Sequence, residues 1–174
     1  MKTSLIFFSF ILLSGTILLT ACSKSNDSKN STTLHVRLTD GPADYTEVNV
    51  DIKEVRVKFN DELDDKGWQT LSTHAGIYNL LDYQNGKDTL LATGTVNANS
   101  VQQIRFILGS DNTIKVGTKI YPLTIPSGSE SGLKLMINKK LNQSLESLVV
   151  DFDALLSIKE ENGGYKLRPV LKLK

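Results

Sequence analysis

The chain has 174 residues, 40% of them hydrophobic and 22% charged, with one cysteine and a formal net charge of +1. This ordinary globular composition excludes a collagen-like, a disulfide-stapled or a wholly disordered chain. Lys2 is the one charge among the first 21 residues; beyond it basic and acidic side chains balance, so nothing in the charge points to nucleic acid.

The N-terminus carries a targeting pattern. Lys2 gives a positive start, residues 5–13 (LIFFSFILL) are apolar, and Ser14, Gly15 and Thr16 interrupt the run before Ile17, Leu18 and Leu19. Thr20 and Ala21 then precede Cys22. A charged start, an apolar run and small residues before a cut site describe a secretory signal over residues 1–21. A retained signal anchor is the alternative, since its length is just sufficient to span a bilayer. The four residues LTAC resemble the bacterial lipoprotein signal, which implies that Cys22 becomes the new N-terminus, is lipidated and makes the membrane a partner. More than one acyl chain, at ~0.8 kcal/mol per buried methylene, gives stable anchoring. Residues 22–33 then read as a polar tether. Ser23 in place of Asp after the cysteine leans, in lipoproteins generally, towards the outer membrane, with its face left open. With the one cysteine committed to the anchor, an exported domain has no internal disulfide and rests on its core.

Residues 34–174 read as one all-β domain, an antiparallel β-sandwich. Leu34, Val36 and Leu38 alternate with His35 and Arg37; Val48, Val50 and Ile52 alternate with Asn49 and Asp51. Val55, Val57 and Phe59 follow, then Ile104, Phe106 and Leu108. Later sets are Leu148, Val150, Phe152 and Ala154, and Tyr165, Leu167, Leu171 and Leu173. Period two over so many segments predicts half-buried strands. Between Ile52 and Val55 the apolar parity switches, which predicts a β-bulge near Lys53 and Glu54, or a strand crossing between sheets. Turn chemistry recurs at Gly41-Pro42, Asn85-Gly86, Gly109 to Asn112, Gly117 and Asn162-Gly163-Gly164. Regular turns with little helical pattern predict a sandwich. The best place for a short helix or irregular segment is residues 138–146.

From Leu34 to Leu173 the chain resembles a bacterial lipoprotein family known as domain of unknown function 4382. The resemblance rests on LTDGPADY (residues 38–45) followed by VNVDIKEVRV, then GWQTL, YNLLDYQNG, LLATGTV and QIRFILG. It ends with YPLTIPSGSESGLKL, VVDFDALLSI and GYKLRPVLKL. It implies an exported, lipid-anchored β-sandwich of the transthyretin-like sort. It brings no reaction and no ligand, so no catalytic residue is carried over.

Chemistry-bearing residues are few. Asp40 and Asp44 flank Gly41-Pro42, while Asp151 and Asp153 stand two apart on a late strand, roughly 7 Å by strand rise. If these segments meet, four carboxylates are a candidate Ca²⁺ site; the alternative is turn capping or pairing with Arg37, Arg105 or Arg168. The stretch at 61–65 lacks EF-hand spacing. His35 and His74 are too few for zinc. Glu130 stands where a nucleophile elbow in GSESG would need serine. No nucleophile–base pair or catalytic metal motif is present, so the expectation is a non-enzyme. Trp68, Tyr78, Tyr83 and Tyr121 are candidates for a carbohydrate platform, because a ring covers the apolar face of a pyranose while polar neighbours take its hydroxyls. The expected function is a cell-envelope lipoprotein whose sandwich binds a ligand or partner, such as a glycan or an envelope protein. A Ca²⁺-binding domain and a carbohydrate-binding module are the alternatives.

Overall fold

The computed structural model describes residues 31–59, 67–126 and 132–174. The targeting segment, Cys22, most of the tether, the acidic stretch at 61–65 and Glu130 lie outside the described residues. Strands β1 (Thr32–Thr39), β2 (Glu47–Lys58), β3 (Trp68–Thr70), β4 (Ser72–Thr73) and β5 (Gly76–Asn79) precede a 3-10 turn (Leu80–Tyr83). There follow β6 (Thr89–Val96), β7 (Ser100–Leu108), β8 (Thr113–Val116), β9 (Lys119–Thr124), β10 (Leu133–Lys140) and β11 (Leu145–Phe152). A one-turn helix, α1 (Ala154–Ser157), leads into β12 (Ile158–Glu161), β13 (Gly164–Leu167) and β14 (Leu171–Leu173). No helix among the described residues is long and apolar enough to cross a membrane.

The strands make two sheets that share one core. One runs β14-β11-β1-β6-β4; the other runs β10-β7-β2-β8-β9-β13-β12, with β3 and β5 also paired to β2. The alternating residues of β1, β2, β7 and β11 point inward as the period requires, and Phe106 from one sheet and Phe152 from the other are fully buried. Burying one such ring contributes about 1.5–3 kcal/mol.

The parity switch in β2 is a bulge. Ile52 pairs with Leu108 and Glu54 with Ile107, so Lys53 is the extra residue; it is exposed, while Ile52 and Val55 both reach the core. Turn chemistry is also where the sequence places it. Asn162 (φ 53°) and Gly163 (φ 74°) form the two-residue link between β12 and β13, the pair of positive φ values that a tight hairpin needs.

The sandwich is all-β as expected, but its sheets are mixed rather than wholly antiparallel. β1 runs parallel to β11, from Thr33 opposite Leu145 to Thr39 opposite Asp151, and β13 runs parallel to β9. Local turn signals predict only hairpin neighbours, whereas β1 and β11 are brought together by the long-range closing of the core. β1 also begins at Thr32, two residues ahead of the expected boundary. Its first residues are tied down, with Thr33 N donating to Ser144 O at 2.8 Å and Thr32 Oγ1 donating to Gln143 O at 3.0 Å. Residues 138–146 hold no helix: β10 runs through a kink at Asn138 (φ 48°) to Lys140, and β11 starts at Leu145. The helical turn falls instead at Ala154, read from sequence as a strand residue, because Asp153 accepts a bond from Leu156 N and caps it.

Candidate ligand-binding site

At one end of the sandwich β1 and β11 finish and β2 and β6 begin; Thr32 and the exit toward the tether lie at the other. The far end gathers Asp40, the 3-10 turn, α1 and the β8–β9 and β12–β13 hairpins.

Two of the four expected aspartates meet there. Asp40, 2% exposed, accepts bonds from Ala154 N at 2.9 Å and Gln84 Nε2 at 3.2 Å. Burial pushes its carboxyl above the ordinary range; the bonds from Ala154, Gln84 and Gly41 pull against this, and the nearby charge of Asp151 adds to it. Asp151 is buried at the end of β11, with Oδ2 3.4 Å from Lys174 Nζ. Asp153 lies one residue past the strand, where it caps α1 and meets Lys172 Nζ at 3.2 Å. Asp44 is exposed in the loop between β1 and β2. Among the described residues no group of three or more His, Cys, Asp or Glu is arranged to hold a metal ion. Of the arginines, Arg37 pairs with Asp88 and Arg168 with Glu161.

A fifth aspartate, Asp51, was not singled out by sequence. Alternation puts it on the outward side of β2 with Asn49, yet it is 1% exposed. Residues Gly109 to Asn112, which link β7 to β8 along β2, fold over it. Gly109 N donates to Asp51 O at 2.8 Å, and Asp51 N donates to Asn112 Oδ1 at 2.9 Å. Lys53, the bulge residue, reaches back to Asp51 Oδ1 at 2.8 Å.

The four expected aromatics separate into three places. Trp68 sits on β3 beside the C-terminal half of β2, with the Arg105 guanidinium 4.1 Å from its ring centroid and Lys58 Nζ at 5.9 Å. A cation already lies over that face. Tyr78 donates its hydroxyl to His74 O and stands 6.3 Å from Tyr83, both half-buried against the core.

Tyr121 differs. Its ring lies 5.1 Å from that of Tyr165, inclined at 59°. The two rings, with Pro122, Thr124, Glu161, Gly163, Gly164 and Lys166, line an open recess of about 260 Å³. Tyr121 pairs with Ile114, and Ile114 with Val48, so the recess lies toward the end of the sandwich remote from Thr32. Burial raises the Tyr165 phenol above its ordinary value, with Glu160, Tyr121 and Tyr45 adding to the effect. Glu161 is fixed from two sides, by Lys166 Nζ at 2.6 Å and Arg168 Nη2 at 2.7 Å. The bond from Lys166 holds the Glu161 carboxyl below the ordinary glutamate range, and the charges of Arg168 and Lys166 lower it further. Tyr165 was read from sequence only as an inward strand residue. The signal that could have found it is the Asn162-Gly163-Gly164 turn just before it, which turns β13 back along β9.

The molecule is therefore a two-sheet all-β domain with an aromatic recess near one end. The chain belongs to the family described as a domain of unknown function (DUF4382), whose model matches residues 31–169. No curated protein and no solved structure matches it.

Proposed function

We propose that this chain is a non-enzymatic lipoprotein of the cell envelope, held at the outer membrane through Cys22, whose β-domain binds a ligand at the Tyr121–Tyr165 recess. The observation that carries the reading is the placement of that recess toward the end opposite Thr32. Residues 23–31 span at most roughly 30 Å at ~3.3–3.6 Å per residue. An anchor at Cys22 therefore keeps the Thr32 end within about 30 Å of the bilayer and leaves the recess, toward the opposite end, free to face outward. Support for a non-enzyme comes from the lining, an ion-paired carboxylate and two phenols rather than an activated nucleophile beside a base.

Two measurements test this in a bacterial host expressing the full chain. Wild type is expected in the membrane fraction carrying labelled fatty acid, and Cys22→Ser without the label. A photo-crosslinking residue at position 120, whose side chain is exposed, is expected to capture one envelope component reproducibly, and Tyr165→Ala to abolish the capture. Unlabelled wild type would refute the anchor; capture unaffected by Tyr165→Ala would refute the recess as the binding site.

A further inference from the structure

We propose that the Tyr121–Tyr165 recess is a carbohydrate subsite taking one neutral pyranose ring; this rests on the ligand-binding reading above and names the ligand's class. The inference follows from the shape and chemistry of the walls. Two phenol rings inclined at 59° form a corner rather than a parallel slot. A flat heterocycle lays its face on only one wall of such a corner, whereas a puckered saturated ring presents C–H groups in two directions and covers both. The volume, about 260 Å³, is below the ~300–1,000 Å³ of sites for drug-sized molecules, so one ring enters and further units lie outside.

The polar rim points the same way. Glu161 Oε1 and Oε2 are held in place by Arg168 and Lys166. A pinned carboxylate flanked by cationic donors is pre-organised for adjacent hydroxyls, one accepting and one donating, at little cost in side-chain ordering. Glu161 and the nearby Glu160, which faces Tyr165, offset Lys166 and Arg168, so no net charge selects an anionic ligand. Gly163 and Gly164 place bare backbone along the rim and leave room for exocyclic groups. A proline-rich peptide is the competing occupant of an aromatic recess. It offers the Glu161–Lys166–Arg168 network no hydroxyls, and it docks along extended grooves rather than in a one-ring corner.

The test uses the full lipidated protein in phospholipid nanodiscs, since glycoside detergents would themselves compete. Saturation-transfer NMR is run with methyl glucopyranoside, galactopyranoside and mannopyranoside, with N-acetylglucosamine, and with a proline-rich decapeptide. Transfer to ring C–H protons of at least one sugar is expected. Tyr165→Ala and Tyr121→Ala should weaken it at least tenfold, and Tyr165→Phe by less than threefold. Thr124→Arg, which fills the recess from an exposed position without removing a core contact, should abolish it even if the alanine variants unfold. No transfer from any sugar to folded wild type, transfer unaffected by Thr124→Arg, or binding of the peptide alone would overturn the proposal. Crosslinking at position 120 that succeeds while all sugars fail overturns the sugar assignment and leaves the ligand-binding reading standing.

Discussion

Gly109→Ala tests the arrangement around Asp51. A methyl group built there lies 1.9 Å from Asp51 Oδ2, 2.6 Å from its Cγ and 2.3 Å from Lys53 Cε. The carboxylate, 1% exposed, has to swing away, which breaks its 2.8 Å pairing with Lys53 and its 3.4 Å contact with Asp111 N. Stripping a partner from a buried charge costs about 3–5 kcal/mol. The Lys53 side chain is 52% exposed, so solvent screening brings the loss to about 2–3 kcal/mol. The lower chain entropy of alanine in the unfolded state returns about 0.4–1 kcal/mol. The net is about 2 kcal/mol, or a fall of about 4–8 °C in Tm for a domain of this size. Urea and thermal unfolding of wild type, Gly109→Ala, Asp51→Ala and the double variant measure it. Asp51→Ala removes the two carboxyl atoms the methyl meets and leaves only Lys53 Cε, on an exposed flexible side chain that can move aside, so the cycle should show a coupling of at least ~1 kcal/mol. A Gly109→Ala cost below ~0.5 kcal/mol, or strict additivity with Asp51→Ala, refutes the reasoning.

Three further outcomes are expected. Phe106→Ala and Phe152→Ala, each emptying a fully buried site, should cost about 3–5 kcal/mol in urea unfolding; a cost under ~1 kcal/mol for either would mean that its ring is not part of the shared core. Asp40 titrates higher folded than its reference of 3.8, so the native state keeps a proton that the unfolded chain has lost, and stability falls as pH rises through that window. The stability difference between Asp40→Asn and wild type should therefore shift in favour of wild type as pH drops from 7 toward 3.8, and a pH-independent difference would contradict this. Saturating Ca²⁺ should leave Tm unchanged within ~1 °C, because only Asp40 and Asp151 of the four aspartates come together; a rise abolished by Asp151→Asn would show a site that these contacts miss.

What the sequence disclosed was local. The bulge at Lys53 was legible because one extra residue must flip the apolar parity of a strand that keeps one face inward. The Asn162-Gly163 hairpin was legible because few residues tolerate positive φ. The parallel pairing of β1 with β11 left no local mark, since nothing near either segment records which distant strand lies beside it. Asp153 was placed on the strand with Asp151 because alternation continues through Ala154; the capping bond to Leu156 N ends the strand first. Asp51 looked outward by the same rule, and its burial depends on a loop nearly sixty residues away in sequence. Tyr121 was legible as a candidate, but its partner Tyr165 was not, because the recess exists only once β13 has come to lie along β9.

The central position of β1 has a mechanical corollary. This strand is flanked by β11 on one side and β6 on the other, over nearly its whole length. A pull delivered at Thr32 and resisted at the opposite end runs along the strand axis, so it must shear both ladders at once rather than unzip one bond at a time. Rupture under tension follows the unfolding rate rather than equilibrium stability. A load entering the domain through this strand therefore meets its stiffest direction, which suits the proposed tethering at its N-terminal end.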